Sequence, residues 1–187
     1  MALDGVFLRL VKEQLEPLIG GRVDKIHQPS REEILFTIRT RDGSYRLLFN
    51  TGAGAARVHV TKAEIENPKT PPMFCMLMRK HLSGAKLVEI EQFGLERMLH
   101  LSFATYNEFG DPVIVKLAVE IMGRCSNLVI INADGKIIDS IKRVDEEMSR
   151  ERMVLPGMTY TLPPRSSRLD FRTCSKEDIA DALAVLP

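Results

Sequence analysis

Apolar and polar residues alternate with period two through most of this chain, and helical spacing interrupts the alternation only in short stretches. Leu3, Val6, Phe7, Leu10, Val11 and Leu15 recur at helical spacing and predict an amphipathic helix ending near Gly20-Gly21. Residues 22–28 read as a strand stopped by Pro29. Ile34, Phe36 and Ile38 share one face of a second strand, Asp42-Gly43 is a hairpin turn, and Tyr45, Leu47 and Phe49 form the returning strand. The small residues of 51–55 make a loop that leads into a short strand around 57–61. Thr70 as N-cap, with Pro71 and Pro72 in the first turn, predicts a helix to about Leu82, capped by Gly84. Strands follow over 86–93, 97–105, 113–121, 128–132 and 136–141. Residues 142–153 are highly charged and read as an exposed loop, and 155–164 as an extended, proline-rich segment. Ser175 with Asp178 is close to a capping box and opens a helix through Ile179, Leu183 and Leu186. The pattern is that of an α+β protein.

Composition narrows the function. A chain of 187 residues, 44% of them hydrophobic, buries a real core and fits one domain or one domain with a fragment of another. A net charge of +1 excludes a histone-like or basic-tail protein, so any nucleic-acid contact rests on a local patch. Cys75, Cys125 and Cys174 are odd in number and far apart, which indicates neither a disulfide scaffold nor a zinc knuckle and fits a reducing cytoplasm. Residues 1–15 are no signal peptide, and no apolar run reaches membrane-spanning length. An exported surface protein would need another route.

The densest candidate chemistry lies in Glu120-Ile121-Met122-Gly123-Arg124-Cys125-Ser126-Asn127. Two strand-like runs meet at a junction that gathers a carboxylate, a guanidinium and a carboxamide around one glycine. Such a junction suits a polar surface held out for a ligand, and equally a solvated turn whose Asn127 caps its own backbone. Arg97 alternates onto the face of Leu99, Leu101 and Phe103, so it needs a carboxylate such as Glu120, a ligand phosphate or base, or a path to water. Glu96 beside it completes an acid–arginine pair.

Weaker candidates lie elsewhere. Arg79 and Lys80 sit late in the second helix, where cations also suit the helix dipole. His81 falls among Phe74, Leu77 and Met78 as a core histidine, and Met73, Met76 and Met78 read as core filling or as an adaptable contact surface. The loop at Gly52 and Gly54 lacks both the Walker ending and a dinucleotide fingerprint. Arg57 and His59 share one strand face and suit a polyanion. His27, His59, His81 and His100 lack metal-ligand spacing, and no catalytic motif frames a nucleophile. Arg143, Arg150, Arg152, Arg165, Arg168 and Arg172 make the final third basic, either as a solvated loop or as a phosphate-contacting arm.

Taken in order, several of these segments resemble the NFACT amino-terminal domain, a family also labelled fibronectin-binding protein A, N-terminal. The resemblance rests on Asp4-Gly5, Gly20-Gly21-Arg22-Val23, Arg57-Val58-His59-Val60-Thr61, Pro72, Phe74-Cys75-Met76-Leu77, Arg79-Lys80-His81-Leu82, the Glu120–Leu128 segment, Leu155-Pro156-Gly157, Tyr160 and Pro163-Pro164. It covers residues 1–168 and implies a formamidopyrimidine-DNA-glycosylase N-domain-like β-sandwich with flanking helices. Residues 169–187 then open a following helix-hairpin-helix domain. The family acts in ribosome-associated quality control. It holds tRNA, alanyl-tRNA in the bacterial alanine-tailing members, on the large subunit that still carries peptidyl-tRNA. Glu96, Arg97, Glu120, Met122, Gly123, Arg124 and Asn127 fall on its tRNA-binding positions, with Arg57, His59, Arg79 and Lys80 as auxiliary RNA contacts. Glu96 stands where relatives carry Asp, and Cys125 where many carry His. The glycosylase relatives use an amino-terminal proline, which Met1-Ala2-Leu3 does not supply. The resemblance therefore implies a binding domain with no catalytic residues, cofactor, metal or membrane contact, working in the cytoplasm. The family label keeps a fibronectin-binding adhesin open, and the glycosylase likeness an inactive DNA-binding domain.

Overall fold

The computed structural model describes residues 3–164 and 173–184. Arg165, Arg168, Arg172 and the boundary expected at 168/169 lie outside the described residues. Nine strands form one antiparallel sheet: β1 (Arg22–Ser30), β2 (Glu33–Arg39), β3 (Ser44–Asn50), β4 (Arg57–Val60), β5 (Lys86–Glu91), β6 (Met98–Tyr106), β7 (Pro112–Glu120), β8 (Asn127–Ile131) and β9 (Ile137–Ser140). Their order is β4-β3-β2-β1-β5-β6-β7-β8-β9. Among the described residues three α-helices accompany them: α1 (Gly5–Leu15), α2 (Met73–Leu82) and α3 (Lys176–Ala184). The α+β class is as expected. In place of the two sheets of a sandwich there is one sheet bent upon itself.

The bend is legible in the core. Phe36 on β2 and Phe103 on β6 lie three strand steps apart, which in a flat sheet is about 14 Å. Their ring centroids are 6.1 Å apart, and Phe49 on β3 adds a second edge contact to Phe36 at 5.2 Å. The two halves join at a short β1–β5 seam whose register pair is Arg22–Lys86. Strand β1 is irregular between Val23 and Lys25 and between His27 and Ser30, and such bulges bend and twist a strand. Pro29 therefore sits inside an irregular strand end instead of stopping the strand before it.

Helix α1 lies across the fold, touching β4, β5 and β6. It buries Gly5, Leu8, Val11 and Leu15, while Val6, Phe7 and Leu10 of the expected stripe face outward. Apolar residues occupy so much of this helix that periodicity alone does not select the buried side. Contact does. A Cβ on Gly5 would stand 1.7 Å from the Leu95 carbonyl oxygen, so only glycine lets the helix start meet that loop. Asp4 caps the helix by accepting from the Phe7 N–H at 2.8 Å.

Helix α2 begins after Pro72, which replaces the expected Thr70 as N-cap and offers no side-chain acceptor. Cys75 and Met78 are buried against β1 and β6, whereas Met73 and Met76 are exposed, and His81 is half-buried at the edge of that core. Ser175 and Asp178 form the expected reciprocal cap at the start of α3, with the Asp178 N–H donating to Ser175 Oγ at 3.1 Å and the Ser175 N–H to Asp178 Oδ2 at 2.9 Å.

The charged stretch 142–153 departs most from expectation. It does not stand off the molecule. Val144 and Val154 pair with each other, Lys136 pairs with Thr159, and Val154, Met158 and Tyr160 cover a second apolar cluster of Ala118, Val129, Ile131 and Ile137. The segment is a strap over the outer face of β6–β9. Val144 faces the sheet and Arg152 turns inward, while most other charges of the segment and Met148 face water. This is why both faces of β6 are buried from Met98 to Phe103.

Candidate functional site

Strand ends bring the main candidates together. Met98 at the start of β6 pairs with Glu120 at the end of β7, and Glu120 pairs with Asn127 at the start of β8. The Ile121 N–H donates to the Arg97 carbonyl at 2.8 Å, which extends the ladder into both connecting loops. Glu96, Arg97, Glu120, Met122, Gly123, Arg124 and Asn127 therefore occupy one end of three adjacent strands. Arg57, opposite Asn50 at the start of β4, is tied to this end through the 51–55 loop. There Lys142 Nζ donates to the Thr51 carbonyl at 2.6 Å and pairs with Glu32 at 3.1 Å.

Two of these residues reach outward as free cations. Arg97 is exposed just before β6 instead of on the apolar face expected for it, because the strand begins one residue later. Arg124 is exposed on the short helical turn Gly123–Cys125. Among the described residues neither guanidinium has a hydrogen bond or ion pair. Gly123 adopts φ 59°, a left-handed conformation that an L side chain strains, with open space around it. Ser126 Oγ closes the turn by accepting from the Met122 N–H at 2.8 Å.

The other polar groups of this cluster turn inward, which corrects the picture of a carboxylate and a carboxamide held out for a ligand. The Glu120 side chain is 1% exposed and wholly engaged. Arg152 grips it with two bonds of 3.0 and 2.7 Å, and the Tyr160 hydroxyl donates to it at 2.8 Å. The carboxylate's guanidinium partner is thus Arg152, not Arg97. Asn127 is also buried. Its Oδ1 accepts from its neighbour Leu128 N–H at 2.9 Å and from Lys142 N–H at 3.1 Å, while Nδ2 donates to the Lys142 carbonyl at 2.7 Å. Glu96 is half-buried. Its carbonyl and that of Gly5 both accept from Gln92 Nε2, at 3.0 and 2.8 Å, which anchors the Arg97 loop to the start of α1.

Burial sets the electrostatics beneath this surface. His100, held edge-on between Phe93 and Tyr160, has its pKa pushed down to about 4, by burial first and by Lys116 second. Burial and then the Glu120 charge push the Tyr160 hydroxyl above its ordinary value. Burial opposes the charge on Arg152, but its bonds to Glu120 outweigh that and hold its pKa above the ordinary value. The guanidinium also lies 5.1 Å from the Tyr160 ring centroid.

The auxiliary candidates are more occupied. Arg79 Nε donates to the Ile26 carbonyl at 2.8 Å, and Lys80 pairs with Glu108 at 2.9 Å in water. Arg57 donates to the Ala55 carbonyl at 3.0 Å. His59 is half-buried with Nδ1 unpartnered, and burial, then Arg57, lower its pKa. Sequence reasoning named Arg152 only as part of a solvated loop or phosphate-contacting arm and passed over Lys142, because both sit in a charge run where no periodicity separates them from their neighbours. Tyr160 was visible only through the family resemblance.

Comparison with known proteins identifies the family. The family model described as NFACT N-terminal and middle domains matches residues 4–187. The chain belongs to this family, as an N-terminal domain of the RqcH (Rqc2 homologue) type, also called the fibronectin-binding protein N-terminal domain. It is 41% identical over 181 residues to the Rqc2 homolog RqcH of Bacillus subtilis, covering 96% of this chain and 32% of that protein. It is 38% identical over 186 residues to the Rqc2 homolog RqcH of Streptococcus suis, covering 98% of this chain and 34% of that protein. The solved N-terminal structure of the fibronectin/fibrinogen-binding protein from Streptococcus suis superposes with a TM-score of 0.90 at 37% identity, covering 100% of this chain and 70% of that one. The chain spans about a third of the length of these curated relatives. Among the described residues no helix is long and apolar enough to cross a membrane.

Proposed function

We propose that this chain is the tRNA-holding domain of a ribosome quality control factor. It binds tRNA on a large subunit that still carries peptidyl-tRNA, and supports template-free addition of alanine to the stalled chain. One observation carries the reading: Arg97 and Arg124 are exposed, unpaired among the described residues, and set at adjoining strand ends beside the buried, hydrogen-bonded Glu120 and Asn127. A guanidinium fork suits phosphate and base edges alike. The chain offers no bond-making group of its own in this account. It positions tRNA, and the ribosome makes the peptide bond. Glu96, Arg97, Met122, Gly123 and Arg124 form the contact surface, Glu120 and Asn127 shape it from within, and Arg57 flanks it.

The test compares tRNA affinity, and co-sedimentation with large subunits carrying peptidyl-tRNA, for wild type and Arg97→Ala. The expected outcome is an unchanged melting temperature with tRNA affinity reduced about tenfold, the scale of one charge-assisted contact. An equal loss of stability and binding makes Arg97 a structural residue and removes it from the site.

A second reading is favoured by the Streptococcus suis structure described as a fibronectin/fibrinogen-binding protein. As an adhesin the chain would bind fibronectin and be cleaved by protease added to intact cells. Protection from that protease, together with tRNA binding, selects the first reading.

A further inference from the structure

The Arg152–Glu120–Tyr160 cluster is turned inward, next to the segments that carry the exposed Arg97 and Arg124. Glu120 ends β7, and the turn bearing Arg124 begins three residues on, at Gly123. Its carboxylate takes a two-point grip from Arg152, whose own side chain is 12% exposed and whose Nε donates to the Thr161 carbonyl at 2.8 Å. Replacing a buried ion pair by apolar residues of similar volume is often neutral or stabilising, so this pair is poorly explained as a stability device. What it supplies is a fixed position for Glu120. Tyr160 joins the same carboxylate to the other loop. Its ring packs edge-on against His100 at 5.5 Å, and His100 packs against Phe93 at 4.9 Å, in the loop that ends at Arg97. Tyr160 thus holds Glu120 directly and reaches the loop ending at Arg97 through His100.

We propose that Arg152 and Tyr160 are positioning residues for RNA: by gripping Glu120 and His100 they hold the 121–126 turn and the 93–97 loop so that Arg124 and Arg97 engage one tRNA together. This rests on the tRNA-binding reading above. The strap is therefore part of the binding site's specification, although it contributes no contact to the ligand. Preorganisation of this kind raises affinity by removing the ordering cost of two loops at the moment of binding.

The experiment uses the whole protein with deacylated tRNA as probe and measures affinity, its salt dependence, melting temperature and amide hydrogen exchange. The variants are Tyr160→Phe, which removes one hydroxyl, and the double variant Glu120→Gln/Arg152→Met, which removes both buried charges and leaves neither unpaired. Arg97→Ala and Arg124→Ala are controls. Tyr160→Phe is conservative enough to fold if the double variant does not. The expected result is faster exchange confined to 121–126 and 93–97 and a tRNA affinity lowered about three- to tenfold. The melting temperature should stay within a few degrees, and the salt slope should match wild type, since no phosphate contact is lost.

Unchanged exchange in both segments overturns the proposal. So does faster exchange with unchanged affinity while Arg97→Ala weakens binding. A lowered salt slope in the double variant, with Tyr160→Phe neutral, makes Arg152 a direct RNA contact and also overturns it. If neither arginine control weakens binding, the tRNA reading itself has failed. The exchange data then decide separately whether Arg152 and Tyr160 hold the two loops.

Discussion

Polar side chains at one end of this sheet divide by direction more than by type. Arg97 and Arg124 reach water, while Glu120 and Asn127, equally polar and only a few residues from Arg124, are buried. The sequence marked all four, because charges and carboxamides at strand ends stand out against apolar runs. It did not give their directions. Glu120 finds its partner 32 residues away on a strap that reads as a solvated loop. His100 carries the clearest consequence at this scale. Its folded pKa of about 4 lies below the ordinary 6.5, so the unfolded chain binds the extra proton first as pH falls. The folded state is then favoured fully above about pH 6.5 and loses that contribution as pH drops toward 4. Urea midpoints taken across this window should fall in wild type and fall less steeply in His100→Gln.

At the scale of elements, period and turn chemistry placed each strand of the sheet to within a residue or two at most ends, since alternation survives wherever one face is buried. Helix α1 was found, but of its expected stripe Val11 and Leu15 are buried while Val6, Phe7 and Leu10 face outward, because its apolar residues cover more than one stripe; Gly5 meets the Leu95 carbonyl on the buried side. That contact makes Gly5 a sharp test. Gly5→Ala places a methyl 1.7 Å from a backbone oxygen, so either the helix or the 92–97 loop must move. The expected cost is about 1–3 kcal/mol, of the order of other overpacking changes, read as a lower urea midpoint. Because Gln92 ties Gly5 to Glu96, weaker tRNA binding should accompany it.

Across the whole molecule the net charge is +1, so under the proposed tRNA-holding role binding would depend on local contacts and not on a long-range field. The salt dependence of tRNA binding should therefore be shallow, and Arg97→Ala should reduce the log–log slope by about 0.7–0.9, the value for one phosphate contact. Titrations at a series of salt concentrations check this, and an unchanged slope would place the phosphates elsewhere.

By itself the sequence determined the α+β class, the strands and their turns, the glycine at the 123 turn and the two arginines, because these follow from local periodicity and backbone geometry. Tertiary structure alone decided that the sheet bends at the β1–β5 seam, which side of α1 is buried, that a charged segment is a strap, and that Arg152 holds Glu120. Those outcomes depend on contacts between residues far apart in the chain, and local pattern carries no record of which distant surface each residue will meet.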